Sequence, residues 1–163
     1  METKKRSALR VLVPVIVVIA VLDQVIKQAI LLAIDPLNPV SVIGEWARIV
    51  LVFNSGAAFS MGEDHTWVFT TVQLVFVLGA LYFGRTMVHR PQIIGVALIA
   101  GGALGNLIDR LFRAPGFFVG HVVDYISIGS FAVFNLADSA ITIGVVVVII
   151  SLFFEPEPTK EKA

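Results

Sequence analysis

The residues able to do chemistry are four aspartates, Asp23, Asp109, Asp124 and Asp138, set in an otherwise apolar chain. An ionisable group among apolar neighbours costs several kcal/mol unless it is paired or hydrated, so each needs an explanation. Asp23 has one at hand, because Lys27 at i, i+4 lies on the same helix face and the two neutralise each other. Asp109 and Arg110 are adjacent at the end of an apolar stretch. A snorkelling or ion-paired helix end and a direct part in chemistry are both open there, and a structural or substrate-orienting role is assigned to the pair. Asp138 differs, since the stretch from Phe131 to Phe154 holds no basic residue to neutralise it. Its partner must come from another segment, and Asp124, in the run His121-Val122-Val123-Asp124-Tyr125, is the candidate. Two carboxylates brought together cannot both ionise cheaply, so they share a proton. One is then a base that activates water and the other an acid that polarises a carbonyl, the chemistry of an aspartic protease.

Such residues must be positioned by elements suited to lipid. Of 163 residues, 57% are hydrophobic and 15% charged, with a mean hydropathy of +0.91, which places most of the chain in a bilayer. Four apolar stretches, 11–34, 67–84, 91–111 and 131–154, each approach the length of about 20 residues needed to cross. They lack the alternation of barrel strands, and backbone amides in hydrocarbon need internal partners, so four transmembrane helices are predicted in a single membrane domain. Lys4, Lys5, Arg6, Arg10, Arg85, Arg90, Lys160 and Lys162 fall on one side of that topology, against Arg48 and Arg113 on the other. The basic residues place both termini in the cytoplasm. The amino-terminal stretch mimics a secretory signal, but no convincing small-residue cleavage site follows, and Asp23, Gln24, Lys27 and Gln28 mark a retained span.

Depth follows from helical rise. At about 1.5 Å per residue, Asp23 lies roughly 18 Å from the inner edge at Val11, Asp109 roughly 27 Å from Pro91, and Asp138 roughly 25 Å from the inner face. All three fall in the outer half, and Asp124 lies in the outer connection. The segment between the first two spans opens on Asp35, Pro36, Asn38 and Pro39 and continues through Val40, Val42, Ile49, Leu51 and Phe53 in short β-like runs. The fold class is therefore an all-α membrane protein with a small extracytoplasmic β-cradle, Trp46 and Trp67 lying near the headgroups. The proline-bearing, charged tail 155–163 reads as disordered.

Several functions are set aside. Net charge is zero and no basic run is interleaved with aromatics, which argues against nucleic acid as a partner. Without cysteine there is no disulfide, thiolate site or thiol nucleophile. His65, His89 and His121 lack metal-ligand spacing, and no lysine stands near the outer serines to serve as a base. Gly101, Gly102 and Gly105 form a small-residue ridge suited to helix packing. A proton-coupled transporter would need polar groups in the inner halves of several spans, and 70–83 and 145–154 offer almost none. A scaffold protein would not need two isolated outer acids.

Five runs carry a family resemblance. Asp23-Gln24-Val25-Ile26-Lys27, Asn54-Ser55-Gly56-Ala57-Ala58-Phe59, Gly101 through Arg110, Val122-Val123-Asp124-Tyr125 and Phe134-Asn135-Leu136-Ala137-Asp138-Ser139 resemble, in order, the signature boxes of the lipoprotein signal peptidases. The resemblance implies a bacterial inner-membrane enzyme that cleaves prolipoproteins just before the cysteine carrying a diacylglyceryl group. It puts the catalytic aspartates on Asp124 and Asp138. Asn54, Asn106, Arg110 and Asn135 match polar residues that line or brace the site, Asp23 and Lys27 match the first box, and Gly56, Asp109 and Ala137 stand with them as binding or bracing positions. It further implies no metal or organic cofactor, and inhibition by globomycin-type compounds. The span Ile126 to Val133 is more compact than in some relatives.

Overall fold

The computed structural model describes residues 2–56 and 65–154, with side chains from Ala8 onward. Ala57, Ala58 and Phe59 of the second run, and the tail expected to be disordered, lie outside the described residues. The elements run α1 (Glu2–Ala33), β1 (Val40–Ile43), β2 (Ala47–Asn54), α2 (Thr66–Gly84), α3 (Arg90–Phe112), β3 (Val122–Ile128) and α4 (Leu136–Phe153). All four helices are long and apolar enough to cross a membrane. The outer faces of α1, α2 and α4 carry exposed Val17, Val21, Val25, Val75, Leu78, Phe83, Ile149 and Ile150, as helices solvated by lipid require.

The central helix is α3, which packs against all three others. Lipid supplies no hydrophobic drive between helices, so close approach must come from small side chains. A Cβ added at Gly101 would lie 2.8 Å from Ile19 Cβ on α1, and one at Gly95 would lie 2.9 Å from the Gly144 carbonyl on α4. Gly102 faces the Ala137 carbonyl more tightly still. Away from the sheet, Leu12, Ile16, Ala80, Ile93, Ala97 and Ala100 close the bundle.

The strands form one antiparallel sheet in the order β1-β2-β3, with Val52 opposite Asp124 and Asn54 opposite Val122. Trp46 and Trp67 are exposed at this end of the molecule. The expected cradle is therefore present, and its third strand comes from the connection between α3 and α4.

One expected boundary is corrected. Apolarity starts the fourth span at 131, but α4 begins at Leu136. The preceding residues are drawn into strand-like pairing, with Ile126 N donating to Phe134 O at 2.8 Å and Phe134 N to Ile126 O at 3.0 Å. Asn135 then caps the helix: its side chain accepts from Asp138 N at 3.0 Å while Asp138 Oδ2 accepts from Asn135 N at 3.1 Å. Hydropathy registers neither the bridge nor the cap.

The glycine ridge yields a direct test. Gly102→Ala should lower stability in detergent by about 1–3 kcal/mol, because the added methyl meets backbone with nowhere to move. Gly79→Ala on α2, where a Cβ meets nothing within 4 Å, should unfold at or above the wild-type temperature.

Candidate active site

The site is built outward from a buried ammonium. Lys27 Nζ contacts Asp23 Oδ2 at 2.7 Å, Asp109 Oδ2 at 2.8 Å and Asn106 Oδ1 at 2.9 Å. Its three N–H donors are thereby all used, which is what a fully buried lysine requires. The expected neutralisation of Asp23 by Lys27 is present, but it is shared with α3. Asp109 turns away from its neighbour Arg110 and pairs with Lys27 and with Arg113 at i, i+4.

Each member of this centre reaches an element that carries a cavity residue. Asp23 Oδ1 accepts from Ala137 N at 3.1 Å, tying α1 to the start of α4. Asp109 Oδ2 accepts from Val123 N at 3.2 Å, tying α3 to the residue before Asp124. Asn106 Oδ1, held by Lys27 and by Asn135 Nδ2, directs its amide nitrogen to Asp138 Oδ1 at 2.8 Å.

Asp124 and Asp138 face one cavity of about 650 Å³, shared with Asn54, Gly56, Asn106 and Arg110 and otherwise walled mainly by apolar side chains such as Phe69, Phe131 and Val133. The two acids are linked through asparagines rather than to each other. Asn135 Nδ2 donates to Asp124 Oδ1 at 2.6 Å while its Oδ1 caps Asp138 N, and Asn54 Nδ2 donates to Asp124 Oδ2 at 2.8 Å. Burial raises the Asp124 carboxyl to about 7; the Asn54 and Asn135 hydrogen bonds oppose the rise and the charge of Asp138 adds to it. Tyr125, whose hydroxyl accepts from Leu136 N, is pushed up to about 12, mainly by burial.

Arg110 engages the loop after β2, donating from its terminal nitrogens to the Ser55 and Gly56 carbonyls, with its guanidinium 5.6 Å from the centre of the Phe69 ring. The structure thus gathers all the sequence-designated residues into two layers. Asp124, Asp138, Asn54, Gly56, Asn106 and Arg110 line the cavity, while Asp23, Lys27, Asp109, Asn135 and Ala137 lie behind it. Among the described residues, no group of His, Asp and Glu side chains is arranged to hold a metal ion.

Sequence reasoning missed Gln24, Arg113 and Gln73. Gln24 Nε2 reaches Asp109 Oδ1 at 3.1 Å and Arg113 pairs with the same oxygen; the Asp109 to Arg113 spacing signals that contact just as Asp23 to Lys27 does. Gln73 lines the cavity from α2, and the available signal was a lone amide in an apolar span.

Four membrane-spanning helices, with α2, α3 and α4 and the sheet walling a cavity that holds two buried carboxylates, define an integral-membrane enzyme of the aspartic-peptidase class. A solved bacterial membrane enzyme, determined by the in meso method at 2.3 Å, superposes with a TM-score of 0.78 at 30% identity over 93% of each chain. Residues 15–154 match the family described as signal peptidase (SPase) II, and the chain belongs to that family. The lipoprotein signal peptidase of Mycobacterium tuberculosis H37Rv is 46% identical over 146 residues, covering 89% of this chain and 72% of the relative. That of Rhodococcus jostii is 42% identical over 160 residues, covering 97% and 79%.

The Asp124 carboxyl gives a pH prediction. Its folded-state value lies near 7 against an ordinary 3.8, so the folded protein binds this proton more tightly than the unfolded chain. The resulting stability is fully present below 3.8 and is lost as pH rises through 7. Thermal unfolding in detergent should therefore occur at lower temperature at pH 7.5 than at pH 4.5, and Asp124→Asn should flatten that difference.

Proposed function

We propose that Asp124 and Asp138 are the catalytic pair of a peptidase that removes signal peptides from bacterial prolipoproteins, cutting before the diacylglyceryl-modified cysteine. The observation that carries this reading is the convergence of the two acids on one largely apolar cavity, each held by asparagine amides.

With the Asp124 proton held to about pH 7, the pair retains one proton under neutral conditions. The ionised member takes a proton from water, the oxygen attacks the scissile carbonyl, and the protonated member donates to the carbonyl oxygen. Collapse of the tetrahedral species returns a proton to the leaving amine and breaks the C–N bond. Asn54, Asn106 and Asn135 hold the carboxylates in place, so little reorganisation is needed as charge develops. Arg110 fixes the loop that forms the cavity rim.

Substrate access follows from the setting. Two acyl chains in lipid, at about 0.8 kcal/mol per buried methylene, hold the substrate in the membrane and so concentrate it beside the cavity without extensive side-chain readout. Globomycin-type inhibitors would compete for the same cavity. The basic-residue asymmetry supports cytoplasmic termini, with the sheet and cavity on the extracytoplasmic side of the bacterial inner membrane.

Asp124→Asn and Asp138→Asn, matched to wild type for folded yield, should each lower prolipoprotein cleavage at least about a hundredfold, and the double variant should be no worse than either single one. Near wild-type turnover in either single variant defeats the assignment. For sidedness, a reporter fused after Ala163 and another inserted in the β1–β2 turn at Gly44 should mark opposite compartments; the same compartment for both would refute the orientation.

A further inference from the structure

Among the described residues, three buried side-chain polar atoms make no hydrogen bond: Arg48 Nε, Arg110 Nε and Gln73 Oε1. Two of the three belong to residues that line the cavity holding Asp124 and Asp138. Arg110 already engages loop carbonyls through both terminal nitrogens. Gln73 is the different case, an amide on a membrane-spanning helix whose carbonyl oxygen is out of contact with solvent and accepts from nothing. An orphaned acceptor at such depth costs stability, and the fold gains nothing visible from it.

A peptide substrate carries donors of the kind this acceptor lacks. To be cut, the chain around the scissile bond must leave helical geometry, and every unwound residue in hydrocarbon then exposes a backbone N–H that needs an acceptor from the enzyme. Gln73 lies seven residues into α2 and Asp138 two residues into α4, counted from the helix ends nearest the sheet. At about 1.5 Å per residue these are depths of roughly 10 and 3 Å. With the two helix starts at one level, the difference of roughly 7 Å is about two residues of extended chain at about 3.3 Å each. The signal peptide precedes its cleavage point, so the part lying deeper in the membrane is the part on the amino side.

We propose that the Gln73 side chain, which lines the cavity, turns its Oε1 from its closed resting position to act as a substrate-positioning acceptor, taking a hydrogen bond from a backbone N–H two to four residues on the amino side of the scissile bond. This rests on the peptidase reading above and adds a residue to it. The diacylglyceryl group cannot fill the role, because its ester and thioether atoms donate no hydrogen bond. The Gln73 contact therefore reads the peptide backbone of an unwound signal segment, independent of side-chain identity.

The test uses full-length protein in detergent, a diacylglyceryl-modified prolipoprotein peptide, and three versions of it in which the backbone N–H of the second, third or fourth residue before the cleavage point is replaced by an ester oxygen. With wild-type enzyme, one ester should lower kcat/KM about fivefold to tenfold. Gln73→Met should lose a similar factor on the all-amide peptide and lose nothing further on that ester. Its unfolding temperature should equal or exceed that of wild type, since the orphaned acceptor is gone. The inference is overturned if the ester and methionine losses multiply at every position, if Gln73→Met cleaves the all-amide peptide as well as wild type does, or if the variant unfolds earlier than wild type. Folded wild-type protein that leaves the all-amide peptide uncut would instead sink the peptidase reading, and this inference with it.

Discussion

The Lys27 ammonium is the contact on which the site's geometry depends. It is fully buried, and moving a charge of that size out of water costs several kcal/mol even after relaxation. The cost is offset only because Asp23, Asp109 and Asn106 take all three of its donors at hydrogen-bonding distance. Such a geometry has almost no slack, since loss of any one ligand would leave charge or a polar donor unpaired in a medium without water. That intolerance is what makes the centre useful as a datum. From it, Asp23 fixes the first turn of α4, Asp109 fixes β3 beside Asp124, and Asn106 fixes Asp138.

The glycine ridge on α3 is the steric counterpart of this electrostatic centre. A Cβ at Gly105 would lie 2.6 Å from Asp23 Oδ2, so a side chain there would push the carboxylate off the lysine. Small residues let the helices approach, and close approach lets short polar side chains on different helices meet. Packing and charge pairing in this protein are therefore coupled at the same turns of α1 and α3.

The asparagines settle a further matter. Two carboxylates in direct contact would compete for one hydrogen and drift with its position. Here Asn135 stands between them, donating to Asp124 while capping the backbone of Asp138, and Asn54 and Asn106 hold the far oxygens. A carboxylate whose oxygens already accept amide donors keeps its orientation when a proton arrives or leaves. The cavity wall beyond them is mainly apolar, which suits the hydrophobic segment of a signal peptide.

Much of this was legible in the residue order. Apolar runs long enough to cross identify the four helices because the physics of lipid acts on length and composition alone. The isolation of Asp138 among residues with no base pointed to a partner elsewhere, and the i, i+4 spacing of Asp23 and Lys27 declared their pairing. Local order could not show that Lys27 also serves Asp109, 82 positions away, or that Asp109 turns its back on Arg110. It placed the start of α4 five residues early, because the Ile126–Phe134 bridge and the Asn135 cap hold the residues before Leu136 out of the helix through short-range hydrogen bonds that hydropathy does not register. It passed over Gln73, whose meaning depends on which helix face lines the cavity. Composition and spacing act along the chain and determined the membrane fold and the candidate acids. The direction in which each polar side chain points is decided by partners on other helices, and only the tertiary structure brings those partners within 3 Å.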